Sequence, residues 1–89
     1  MAQVHFTAWL RELVPDGPLT VGGGTVGEAL AQVFAARPHV RSYVLDDRGV
    51  LRKHVCMFAD GARLPNGAAL AHAIAPGATL HVMQALSGG

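Results

Sequence analysis

Residue types able to do chemistry fall into a few patterns, and the most tempting is glycine-rich. Gly22-x-Gly24-x-x-Gly27 has the spacing with which a tight turn opens a helix beneath a dinucleotide pyrophosphate, and Asp46 and Asp47 stand about 20 residues on, where an acid would meet a ribose. Such a domain needs repeated parallel βαβ units, and the 89-residue chain has room for barely one after Gly27. The glycines therefore read as a flexible lead into a helix. No Gly-Lys-Ser/Thr follows them, which excludes a P-loop. Five histidines and one cysteine invite a metal, and His54-x-Cys56 could place two ligands on one side of a strand. His5, His39, His72 and His81 show no paired ligand spacing, so no metal site is expected, and Cys56 reads as a small buried hydrophobe rather than a nucleophile. Glu12, Asp16 and Glu28 stand near turns and a helix start, and Asp46-Asp47 is a turn pair, so no catalytic carboxylate dyad forms.

The remaining candidate is the end of the chain. Thr79-Leu80-His81-Val82-Met83-Gln84 has strand character, continues through Ala85-Leu86-Ser87 and stops at Gly88-Gly89. Lacking Cβ atoms, a diglycine can lie extended in a channel too narrow for any other residue, and it delivers a terminal carboxylate to whatever lies at the bottom. A carboxylate so delivered is a substrate. The competing readings are a frayed terminus or an appended remnant; strand character held almost to Leu86, with no tag or protease-site pattern, argues against the second.

Composition narrows the class of protein that could present such a tail. The length fits a single domain over residues 1–89, and 51% hydrophobic residues suffice for one core without disulfide or metal staples. Cys56 has no partner for an internal disulfide, so a reducing, cytoplasmic location is expected. A formal charge of +1 is too small to neutralise several phosphates, and no uninterrupted apolar run is long enough to span a bilayer; neither nucleic acid nor membrane is the expected partner.

The elements that must hold the tail follow from periodicity. Alternation of Val4, Phe6, Ala8 and Leu10 with polar neighbours predicts a strand from Gln3 to Leu10. Turn residues from Leu13 to Pro18 lead to a second strand at Leu19-Thr20-Val21, forming a hairpin. Thr25 with Glu28 three residues on predicts a capping box at the start of a helix of about 12 residues. Val26, Ala29, Leu30, Val33 and Phe34 form its apolar stripe, and Pro38 ends it. Arg41 to Leu45 is left unassigned, although Tyr43-Val44-Leu45 looks extended; Asp46 to Gly49 is a turn. Val50 to Asp60 predicts a strand in which either His54, Cys56 and Phe58 or Val55, Met57 and Ala59 face inward. Asn66-Gly67 marks a turn, Ala68 to Ala75 a helical turn or loop, and Thr79 to Leu86 the closing strand. One main helix covering one sheet is an α+β roll.

With these elements in place the chain resembles the MoaD/ThiS family of ubiquitin-like sulfur carriers, which includes the small subunit of molybdopterin synthase and the thiamine-pathway carrier. Phe6-Thr7-Ala8-Trp9 running into Leu10-Arg11-Glu12-Leu13 looks like the family's first strand and its exit, Thr25-Val26-Gly27-Glu28-Ala29-Leu30 like its helix start, and Ala85-Leu86-Ser87-Gly88-Gly89 like its tail. Arg52 to Gly61 resembles a further family segment, with Cys56 and Asp60 where members often carry Asn. The resemblance implies a β-grasp roll: a mixed sheet of four to five strands under one main helix, with the first and last strands adjacent and parallel at its centre and a diglycine tail at residues 86–89.

By the same resemblance a ubiquitin-activating-type adenylating enzyme, using ATP, activates the Gly89 carboxylate, and a sulfurtransferase system converts it to a thiocarboxylate that a sulfur-accepting synthase consumes. The chain would then be no enzyme and hold no cofactor of its own. Gly89 would carry the sulfur, Gly88 would let the tail thread, and exposed apolar side chains near it, Leu86 and Met83, would serve partner recognition, with core packing the alternative for Met83. The sulfur could end in molybdopterin, thiamine, cysteine or another metabolite. The alternatives to a freestanding carrier are the small subunit of molybdopterin synthase, a protein modifier joined to lysines through Gly89, and a plain interaction module in which the diglycine is incidental.

Overall fold

The computed structural model describes residues 1–15 and 17–84. The chain opens with β1 (Ala2–Phe6), in which Ala2, Val4 and Phe6 are buried while Gln3 and His5 point the other way. It leaves the sheet at Thr7 and forms a 3-10 helix, Ala8–Leu13. The strand predicted to run to Leu10 is thus cut short. Phe6, Leu10 and Val14 recur every fourth residue, a spacing that serves a helical turn as well as an alternating strand, and Leu10 and Val14 reach the core from the turn. β2 (Leu19–Val21) returns antiparallel, with Ala2 opposite Val21.

Helix α1 (Val26–Ala36) is capped as expected at Thr25, whose hydroxyl accepts from the Glu28 amide at 3.2 Å. The reciprocal arm of the box lands one residue early, because the Glu28 carboxylate accepts from Gly24 at 2.6 Å. Val26, Ala29, Leu30 and Val33 are buried and Phe34 packs at the margin of the core. Beyond Pro38 the chain continues in a 3-10 turn, Pro38–Val40, and the single turn α2 (Arg41–Val44), so Tyr43-Val44 is helical rather than extended. Val40 and Val44, four residues apart and both fully buried, fix that turn. Asp46 to Gly49 is the expected turn, closed by a bridge between Leu45 and Leu51.

β3 (Val55–Ala59) is shorter than the predicted Val50–Asp60 strand and settles the choice of face: Val55, Met57 and Ala59 enter the core. β4 (Ala62–Leu64), a strand that the sequence reading missed, pairs with it across the two-residue turn Asp60-Gly61. Both turn residues have positive φ, 50° and 87°, as a tight hairpin matching the sheet's twist requires, and Asp before Gly suits it. Asn66-Gly67 begins the single turn α3 (Asn66–Ala69) rather than a reverse turn. β5 (Thr79–Gln84) completes a five-stranded sheet of order β2-β1-β5-β3-β4. Every helical element contributes to one core on one face: Leu10, the α1 stripe, Val40, Val44 and Ala69 meet Val4, Phe6, Val55, Met57, Leu80 and Val82. Among the described residues no helix is long and apolar enough to cross a membrane.

Candidate functional site: the root of the tail and the open sheet face

The glycine-rich segment is committed to helix α1. Gly22 donates to the Gln32 side-chain oxygen at 2.9 Å and Gly24 to the Glu28 carboxylate, so a negative charge occupies the place a phosphate would need. The first-turn amides are likewise taken: Val26 donates to the His72 carbonyl, Gly27 to Leu70, and Glu28 to the Thr25 hydroxyl. Gly23, at φ 122°, is required for packing, since a Cβ there would lie 3.0 Å from the Ala29 nitrogen and from Glu28 Cβ. Gly27 lies under the Leu70 carbonyl, 3.0 Å from where its Cβ would be.

His54 and Cys56 do not assemble a metal centre. Among the described residues no three His, Cys, Asp or Glu side chains come together in a way that could hold an ion. Cys56 is only 7% exposed, placed in β3 opposite Met83. Asp46 is occupied with its own turn: its Oδ1 accepts from the amides of Val50 at 3.1 Å and Arg48 at 2.9 Å, and its Oδ2 lies 3.6 Å from the Arg48 guanidinium. The Val50 amide chiefly holds its carboxyl below the usual carboxylate value; desolvation opposes it, and the Arg48 amide and guanidinium add to the lowering.

The strand that leads to the tail is held on both sides. β5 pairs parallel with β1 from Gln3–Thr79 to Phe6–Val82, and antiparallel with β3 from Ala59–Leu80 to Val55–Gln84. Its beginning is fixed by Asp60, whose amide donates to the Thr79 carbonyl at 2.8 Å and whose carboxylate accepts from the Thr79 amide at 2.9 Å. Near its end the Thr7 amide and hydroxyl both donate to the Val82 carbonyl, at 3.1 and 3.4 Å. The Asn66 amide nitrogen reaches the Arg52 and Val55 carbonyls and pins the start of β3 opposite Gln84. The chain is therefore ordered by neighbours to Gln84, the last described residue. Met83 lies half-buried on the face of the sheet opposite the helices, away from the core. Leu86, Gly88 and Gly89, and the end of the predicted strand at Ala85-Leu86, lie outside the described residues.

That open face carries a feature the sequence reading did not assemble. His5 and His81 are register partners in β1 and β5, and their rings stack with centroids 4.8 Å apart and planes 19° from parallel. Phe58 of β3 is paired with His81, and Arg63 of β4 with Phe58, so four side chains form one row across four strands. The signal was present in the outward positions of the two alternating strands, but only the parallel pairing of β1 with β5 joins them.

A central strand flanked in parallel by the first strand and covered by one principal helix defines a ubiquitin-like β-grasp fold. Solved structures agree. The chain is 30% identical to SAMP1 from Haloferax volcanii over 99% of this chain and 98% of that one, with a TM-score of 0.79. It superposes on Mycobacterium tuberculosis CysO with a TM-score of 0.84 at 20% identity, covering 97% of this chain and all of that one. For a chain of the Amycolatopsis orientalis BexX/CysO complex the values are 0.85 and 18%, with both chains fully covered. No protein-family model matches the sequence, and no curated protein sequence matches it. The chain belongs to the MoaD/ThiS family of ubiquitin-like sulfur carriers and modifiers.

Proposed function

We propose that the chain is a sulfur carrier that works through the carboxylate of Gly89 and is acted on rather than acting. The observation that carries this is the placement of β5, gripped by β1 and β3 to Gln84, with Gly88-Gly89 following in sequence after Ala85-Leu86-Ser87. A carboxylate is a poor acyl donor because its leaving group would be oxide. An adenylating enzyme of the ubiquitin-activating type removes that obstacle: the Gly89 carboxylate attacks the α-phosphorus of ATP, pyrophosphate leaves, and an acyl-adenylate results. The terminal sulfur of a sulfurtransferase persulfide then displaces AMP, and thiol cleavage of the acyl disulfide releases a thiocarboxylate, ionised and nucleophilic at neutral pH. A sulfur-accepting synthase of cofactor or amino-acid biosynthesis consumes it. The carrier supplies no general base and binds no cofactor. Its own part is to present Gly89 on a tail that Gly88 keeps narrow and to offer Met83 and Leu86 for recognition by a partner. That CysO has been solved in a complex with BexX supports partner docking as the mode of action.

The test is intact-protein mass spectrometry after incubation with ATP, an adenylating enzyme and a sulfur donor. A gain equal to one oxygen-to-sulfur exchange is expected, absent when Gly89 is deleted. No gain with the full chain, under conditions that sulfurate a known carrier, sinks the reading. A second outcome has support of its own, because the 30% identical relative is a small archaeal modifier protein. Adducts joining Gly89 to lysines of other proteins would mark this chain as a modifier as well, since both fates begin with the same adenylate.

A further inference from the structure

The geometry points to the open sheet face as the docking surface for an acidic, extended segment of a partner protein, read by the row His5, His81, Phe58 and Arg63. The row is flat and central: two imidazoles stacked at 4.8 Å, then a phenyl ring, on three adjacent strands, each side chain half-buried and facing away from the core. Cations close both ends. Arg63, exposed on β4, stands at one. At the other, Arg11 of the first 3-10 helix lines a cleft of about 210 Å³ together with His5, His81, Thr7, Phe6 and Pro18. Among the described strand residues on this face there is no carboxylate: Gln3, Thr20, Thr79, Met83 and Cys56 make up the remainder beside the row. Cations at its edges, rings at its centre and strands without a carboxylate favour acidic partners over other basic faces; the nearby Asp60 carboxylate is held by the Thr79 amide.

The spacing specifies the segment. Strands lie about 4.8 Å apart, so β1 to β4 spans roughly 14 Å. An extended chain advances about 3.4 Å per residue and points alternate side chains the same way, so the roughly four steps between the ends of a five-residue stretch cover the same distance. The segment that fits has an acidic residue at each end of a five-residue stretch and an apolar one midway, all facing the sheet. One carboxylate meets Arg11 and His5, the apolar side chain lies over His81 and Phe58, and the second carboxylate meets Arg63. Thr7, which borders the cleft, is bonded to β5 at Val82, so a partner seated there is beside the root of the tail. The carrier reading enters only in taking that partner for a tail-processing enzyme.

The test titrates the isotopically labelled full chain, without ATP or sulfur donor, with a short capped peptide of this pattern, glutamate at both ends and phenylalanine midway, and follows amide shifts by NMR. Saturable shifts centred on His5, Phe58, Arg63 and His81 are expected. A control with glutamine for both glutamates should bind about tenfold more weakly, and Arg63→Ala should lose about threefold, in line with exposed ion pairs. Shifts centred on α1, no saturable shift at millimolar peptide, equal binding of the glutamine control, or tighter binding of a short oligothymidylate to the same row would each overturn the proposal. None of these outcomes touches thiocarboxylate formation, which is read separately by mass.

Discussion

Leu80 and His81 are neighbours in the central strand, and the sheet sends them to opposite faces. Leu80 has no exposed surface and meets the packed side chains of one core; His81 lies half-buried against a second imidazole, with a phenyl ring beside it in the next strand. The same alternation continues along β1, where Val4 and Phe6 face the helices and His5 does not, and along β3, where Val55 and Met57 do and Phe58 does not. Stability is thus concentrated on one face of three strands, which leaves the composition of the other free to answer to a partner. A sheet covered on both faces could not have made that separation.

Substitutions on the two faces should therefore differ sharply, and the largest effect belongs to the core. Leu80→Ala should destabilise the chain by about 2–5 kcal/mol through lost burial and the cavity left behind, measured as a shift of the urea midpoint. A loss below about 1 kcal/mol would mean that the core repacks there and that the distinction between faces is blurred. Thr25→Ala removes the cap of the helix that covers the core and should cost about 1 kcal/mol; hydrogen exchange should quicken first at the Glu28 amide, whose acceptor is lost. His81→Ala, one residue from Leu80, should cost only about 0.5 kcal/mol, the worth of a cross-strand pair, while abolishing most of the peptide-induced shifts on the open face. The smallest effect lies outside both faces, at the Asp46 turn. Its carboxyl is held below the ordinary value, so its contribution is present above the usual carboxylate range and fades as pH falls through the lowered folded value. Denaturation curves of the wild type and Asp46→Ala should differ slightly at pH 7 and converge in acid.

The parts of this fold that declared themselves in the sequence are those with a local cause. Thr25 and Pro38 bracket α1 because a cap and a missing amide act within a few residues, and Asp60-Gly61 marks a turn because both positions need positive φ. Elements made by distant contacts did not declare themselves. The single turn at Arg41–Val44 exists because Val40 and Val44 find the core, and three-residue β4 because the Asp60-Gly61 turn delivers Arg63 and Leu64 to β3. The inward face of β3 was undecidable from an apolar run, since Cys56 is nearly as buried as its neighbours although it faces the other way. Of the candidate site, Gly88, Gly89 and Leu86 are legible as residue types yet lie outside the described residues, whereas Met83 could be placed. The histidine row was invisible because its two halves are 76 positions apart and only the parallel pairing of β1 with β5 brings them into register.

That pairing also governs how the molecule is made. The last of the described strands is the middle one, inserted between β1 and β3, so while residues 79–84 are still within the ribosome only two separate hairpins can form, β1 with β2 and β3 with β4. Neither hairpin is stable alone in water, and the first strand must wait for a partner some 76 residues downstream. Closure of the sheet, which joins the two hairpins, therefore waits for β5.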